Sequence, residues 1–186
     1  MMAIHWQYIY KVTFRGDMTV GSSPVDRSKL GTKRHILTDK QGIPLSAVIS
    51  SASTHDIKAV TDVIDNTVIK RTFVSKPKRG KRQRRKYHHL CLDRAYNSKS
   101  TENEIINRGY VPHILYKWKG GQIKKEKTNQ KRHYSSKNKR WVGERTNSWH
   151  NRFRKLFTKY EKKVENYLGL VQLSNSIIIY RKIILG

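Results

Sequence analysis

Two runs of alternating apolar and polar residues, 34–38 and 43–50, flank the turn-forming stretch Asp39-Lys40-Gln41-Gly42. Strand side chains alternate with a period of two, and a glycine closing a short turn lets the chain reverse, so this region predicts a β-hairpin. Downstream, Val60, Val63, Ile64 and Val68 recur at helical spacing behind the capping stretch Ser53-Thr54-His55-Asp56. Residues 88–92 read as a short apolar strand ending at Asp93. Residues 98–108 follow as a helix stopped by Gly109, and 111–116 as another strand. From Val142 a long basic amphipathic helix is predicted, with Trp149, Phe153, Leu156, Tyr160, Val164, Tyr167 and Val171 along one stripe. Residues 1–25 alternate only weakly and are then interrupted by Gly16, Gly21 and Pro24, so an irregular segment is expected there. Strand hairpin, helix, strand, helix, strand, insertion and long helix make an α/β pattern with a mixed sheet, placed as one domain over 26–186.

Charge sharpens this picture. Lys and Arg number 40 against 13 Asp and Glu, a formal net charge of +27 over 186 residues. Such an excess points to a densely negative partner, nucleic acid before anionic membrane. Residues 76–86 hold eight basic residues in eleven positions, and 117–140 form a second basic, glycine-containing run. Both are expected to contact phosphate without reading sequence, each contact adding about −0.9 to the log–log salt slope on duplex DNA. No apolar run reaches the roughly 18–20 residues that span a bilayer, and 177–184 is broken by Arg181 and Lys182. The first residues lack the pattern of a signal peptide, and the single cysteine, Cys91, excludes a disulfide framework within one chain. An intracellular, basic protein is expected.

Against so few acids, two carboxylates stand out. Asp93 follows an apolar strand, at the kind of carboxyl end where open α/β sheets gather their ligand sites. Glu144 lies in the first turn of the last helix, and its neighbours at +4, +7 and +11 are Ser148, Asn151 and Lys155, a polar strip. Brought together, two such groups can hold Mg²⁺ with part of its water shell. Spacing alone leaves the alternative open, in which Asp93 caps the next turn and Glu144 complements a helix N-terminus for ~0.3–1 kcal/mol. His88 and His89 are adjacent on a strand and face opposite ways. His35, His55 and His113 have no other ligand types nearby in sequence, so structural or hydrogen-bonding roles are expected. Trp118 and Trp141 are candidates for stacking on unpaired bases, Trp149 for the core, and Tyr96 for the edge of the Asp93 site.

The stretches PVDRSKLGTKRHILTD (24–39), GIPL (42–45), ASTHD (52–56), LDRAY (92–96) and VGERTNSWHNRFRKL (142–156), in this order, resemble bacterial insertion-sequence transposases of the DDE type. The resemblance runs from about Gly16 to Arg181. It implies a ribonuclease-H-like mixed sheet flanked by helices, Mg²⁺ ions (Mn²⁺ as substitute), and strand cleavage and transfer at the ends of a mobile element. Double-stranded DNA, both element ends and target, is the implied partner, bound by a homo-oligomer on the bacterial nucleoid in the cytoplasm. Carried over residue by residue, Asp93 matches the second acid and Glu144 the third. Arg140 matches the signature arginine, and either Arg152 or Lys155 matches the basic residue further along. Tyr134 is too far from Arg140 to match the signature tyrosine. The first acid belongs on the first strand, where Trp6, Gln7, Tyr8, Ile9 and Tyr10 offer none; Asp17 and Asp26 match non-catalytic positions. A truncated or frame-disrupted copy is therefore expected. Two other classes stand beside the enzyme: a DNA-binding remnant that occupies element ends, and a basic RNA-binding protein, which would explain the charge but not the ordered motifs.

Overall fold

The computed structural model describes residues 2–9, 12, 18–24, 27–68, 88–114 and 141–185. Among them six strands form a mixed sheet: β1 (Met2–Ile9), β2 (Gly21–Ser22), β3 (Leu30–Asp39), β4 (Pro44–Ser51), β5 (His88–Leu92) and β6 (Tyr110–Ile114). Strand β1 lies in the middle. It runs antiparallel to β3 from Met2↔Asp39 to Ile9↔Thr32, and parallel to β5 at Met2↔Leu90 and Ala3↔Cys91. Beyond β3 lies antiparallel β4, and beyond β5 lies parallel β6. Residues 2–9, expected to be irregular, are thus the central strand. Pairing to neighbours on both sides outweighs weak local patterning there.

The hairpin forms where the turn chemistry places it. Gly42 adopts φ +85, and Asp39 Oδ1 accepts from the backbone N–H of Gln41 and of Ile43, each at 2.8 Å. Downstream, a 3-10 turn over Asp56–Lys58 leads into α1 (Ala59–Asp65), and α2 covers Lys99–Asn107. His55 caps the 3-10 turn, its Nδ1 accepting from Ile57 N at 3.4 Å. Buried Lys33 of β3 donates to Asp56 Oδ1 at 2.8 Å and to Thr54 O at 2.6 Å, which ties this loop to the sheet. Helix α1 ends earlier than predicted, and Val68 lies beyond it, 86% exposed. Gly109, at φ +75, ends α2 as expected.

The predicted long helix is three helices: α3 (Trp141–Asn151), α4 (Arg154–Phe157) and α5 (Val164–Ile183). Thr158 leaves α4 in an extended conformation (φ −125, ψ 130), and Lys159 makes a parallel bridge to Val12. Lys159 Nζ also donates to Thr19 Oγ1 at 2.9 Å, so long-range contacts take the backbone that helix continuation would need. The apolar stripe survives in pieces: Leu156, Tyr167 and Val171 are buried, while Tyr160 between them is 54% exposed.

One face of the sheet packs Ile4, Leu37, Leu90 and Leu92 against Val60, Val63 and Ile64 of α1 and Ile105 of α2. Each such side chain contributes about 1.5–3 kcal/mol when fully buried. The opposite face packs Ala47 and Ile49 of β4 against Leu156, Tyr167 and Val171. Among the described residues no helix is long and apolar enough to cross a membrane.

Candidate active site

Leu90, Cys91 and Leu92 are all buried, and the chain leaves the sheet at Asp93. The Asp93 carbonyl accepts from Tyr96 N at 3.1 Å, opening a 3-10 turn over Arg94–Tyr96. Strand alternation sets Leu90 and Leu92 on the α1/α2 face, so position 93 falls on the other one. Helix α3 lies over β1 and β3 on that second face and carries Glu144 in its first turn. Its inward residues are Val142, Gly143, Thr146, Asn147 and His150, while Glu144 and Ser148 are exposed, the polar strip expected from spacing. Arg152 is exposed just past α3, and Lys155 is exposed on α4. Arg140, Trp118 and both basic runs lie outside the described residues.

Alternation continued one residue past β5 puts Asp93 on the sheet face over which α3 lies, but among the described residues no three His, Cys, Asp or Glu side chains come together as a metal cluster. The first strand is in place. Continuing its parallel register two residues beyond Ala3↔Cys91 brings His5 level with Asp93. A histidine thus stands on β1 beside the strand end that carries the carboxylate.

Helix α3 is pinned by the hairpin turn. Thr146 Oγ1 donates to Gly42 O at 2.7 Å, and Arg145 Nη2 donates to Gln41 O. A Cβ at Gly42 would lie 3.0 Å from Thr146 Oγ1 and 3.1 Å from Arg145 Nη2, and φ +85 already disfavours any other residue. The Arg145 guanidinium lies between Trp141, at 4.8 Å, and Trp149, at 5.1 Å, and Lys182 Nζ sits 5.1 Å from Trp149. Spacing of four residues stacks these groups on one helical row. Trp149, expected in the core, is half-buried in this ladder instead, because charged groups rather than hydrocarbon surround its ring.

Polar residues that local sequence marks as surface-like are buried beneath α3. Asn147 is only 6% exposed, and neither its Oδ1 nor its Nδ2 has a hydrogen-bond partner. His150 is fully buried with Nε2 2.7 Å from Asn175 Oδ1, and its Nδ1 has no partner. Burial, then the charge of Arg34, pushes the His150 pKa down to about 3, so the ring is neutral. Arg34 of β3 is itself buried, which lowers its pKa, and burial raises that of Tyr167. On the other face His35 is held down to about 4, chiefly by burial, with Nε2 2.7 Å from Ser50 Oγ, a hydrogen-bonding role as expected. The signal that would have exposed Asn147 and His150 is their period: positions 143, 147 and 150 fall on one side of a helix.

Two expectations are corrected here. Tyr96 is fully buried in the α1/α2 core rather than at the edge of the Asp93 site, since the 3-10 turn folds it back under the sheet. His113 has the hydrogen-bonding role expected of it, but its partner is a ligand-type residue after all: parallel pairing of β5 and β6 sets His89 Nδ1 2.8 Å from His113 Nε2.

Comparison with known proteins adds three findings. A family model described as Transposase DDE domain matches residues 17–175. A relative described as the putative transposase for insertion sequence element IS402, from Burkholderia cepacia, is 30% identical over 166 residues, 89% of this chain and 70% of that protein. Among solved structures, the piggyBac transposase synaptic complex with hairpin DNA aligns with a TM-score of 0.38 and 12% identity, covering 65% of this chain. The chain spans 23% of that protein's length.

Proposed function

The chain belongs to the transposase DDE-domain family, and on that premise we propose that it cleaves DNA strands at insertion-sequence ends and transfers them to target DNA, with a divalent metal. Asp93 and Glu144 would hold the ion. Arg140, and Arg152 or Lys155, would position phosphate or offset the charge that develops on it. The observation that carries this reading is that Asp93 ends a central strand on the sheet face that α3, bearing Glu144, covers. Two carboxylates are a hard-oxygen donor set that suits Mg²⁺ or Mn²⁺. A bound cation would stabilise negative charge on the phosphate oxygens during displacement. The formal charge of +27 supports duplex DNA as partner. A homo-oligomer holding two element ends on nucleoid DNA completes the proposal.

One observation favours a second reading, a DNA-binding remnant without catalysis. The residue level with Asp93 on β1 is His5, where a third carboxylate would complete a metal site. The deciding experiment is cleavage of labelled DNA carrying the element's own ends, in Mg²⁺ and in Mn²⁺, for the wild type, Glu144→Gln and His5→Asp. Cleavage that Glu144→Gln lacks supports the enzyme. Retained binding with no cleavage, rescued by His5→Asp, identifies the remnant.

A further inference from the structure

Away from Asp93, at the edge of the sheet, two imidazoles meet. His89 of β5 and His113 of β6 approach with Nδ1 and Nε2 2.8 Å apart, ring centroids 5.0 Å apart and planes inclined by 30°. The parallel register sets His89 opposite Val111 and Cys91 opposite His113, so the two rings are diagonal neighbours. The near nitrogen of one ring and the far nitrogen of the other close that offset. His89 is exposed and His113 half-exposed, so both nitrogens are within reach of a hydrated ion.

We propose that His89 and His113 form a second metal site, for a borderline divalent ion such as Cu²⁺, Ni²⁺ or Zn²⁺. Metal–imidazole bonds are about 2.0–2.1 Å, so two nitrogens in adjacent positions of a square or octahedral ion lie about 2.9 Å apart, and in a tetrahedral ion about 3.4 Å. The observed 2.8 Å needs an opening of only about 0.1 Å for Cu²⁺ or Ni²⁺, and about half an ångström for Zn²⁺. Strand pairing has already fixed both backbones, so little ordering remains to be done on binding. In the metal-free pair one ring donates an N–H to the other's lone pair. Binding moves that proton to the outer nitrogen of its own ring, through solvent, and leaves two lone pairs facing the ion with no net proton change. Water fills the other coordination positions. The site is distinct from Asp93 and Glu144 in donor type and so in metal preference: nitrogen for Cu²⁺ and Ni²⁺, oxygen for Mg²⁺ and Mn²⁺.

The test uses the full, untagged chain carrying Asp93→Asn and Glu144→Gln, so that the carboxylates do not compete. Cu²⁺ is titrated calorimetrically and followed by electron paramagnetic resonance. The expected result is a first equivalent of Cu²⁺ showing coupling to two imidazole nitrogens, with affinity at least tenfold weaker in His89→Gln and in His113→Gln. Affinity unchanged in both variants, or a first equivalent coupled to fewer than two imidazoles, would overturn the proposal and leave a hydrogen-bonded pair only. Circular dichroism of both variants shows that each is folded, and Ni²⁺ should raise the melting midpoint of the parent but of neither variant.

Discussion

On the face of the sheet covered by α1 and α2, Ile4, Leu37, Leu90 and Leu92 meet an apolar wall, and buried Lys33 is paired with Asp56 at 2.8 Å. On the face covered by α3, α4 and α5, a smaller apolar cluster shares its space with Arg34, Asn147, His150 and Tyr167, and three polar atoms of Asn147 and His150 have no hydrogen-bond partner. A buried polar group without a partner costs about 1–3 kcal/mol. The first face, although His35 Nδ1 is unpartnered there too, therefore carries the larger apolar core, and the second carries more of the unpartnered polar atoms. The second is also the face that α3 covers with Glu144 and where position 93 falls, so the poorer packing coincides with the chemistry proposed for the chain.

The sharpest way to break this contrast is to open the apolar face. Leu92→Ala should destabilise the protein by about 2–5 kcal/mol, read as a lower denaturant midpoint at unchanged slope. An effect below about 1 kcal/mol would mean that this face is not the principal source of stability.

Next in size is acid. His35 and His150 have folded pKa values near 4 and near 3, against 6.5 when unfolded. Between those values the unfolded chain binds more protons, so stability is full above about pH 6.5 and falls as pH drops towards 4. The loss is on the order of a few kcal/mol, and His150→Gln should flatten it. A denaturation free energy that stays level from pH 7 to pH 4.5 would contradict the neutral, buried rings.

A smaller effect separates the roles of the two faces. Asn147→Leu removes two unpartnered atoms and should leave stability unchanged or raise it by about 1 kcal/mol. If α3 keeps this amide for the site, cleavage falls in the same variant; loss of stability instead would show that a water molecule already satisfies the group. Least of all, Trp141→Ala, exposed at the end of the cation–π ladder, should alter stability by only about 0.5 kcal/mol while weakening DNA binding. An unchanged DNA affinity would remove Trp141 from the interface.

Features decided by a few neighbouring residues were legible in the sequence. Asp39 and Gly42 marked the hairpin, Gly109 the end of α2, and residues 88–92 the strand leading to Asp93. The polar strip around Glu144 followed from helical period alone. Features decided across the fold were not. Strand β1 owes its order to β3 and β5, and the break after α4 to contacts of Lys159 with Val12 and Thr19. His89 and His113, 24 residues apart, meet only because α2 returns the chain parallel to β5. Asp93 after a strand and Glu144 in a helix's first turn were both legible locally, whereas the histidine level with Asp93 became visible only through strand register.

The clasp between Gly42 and Thr146 joins points 104 residues apart. Bringing the ends of so long a loop together is slow to achieve by chance, and contacts of this range form once the nearby parts are in place. As the chain leaves the ribosome, the hairpin waits with its turn unclasped until α3 is made. Glu144 is then the later of the two candidate carboxylates to arrive, carried in by the helix that closes the loop. Any interruption of synthesis before residue 141 yields a sheet that lacks α3 and, with it, Glu144.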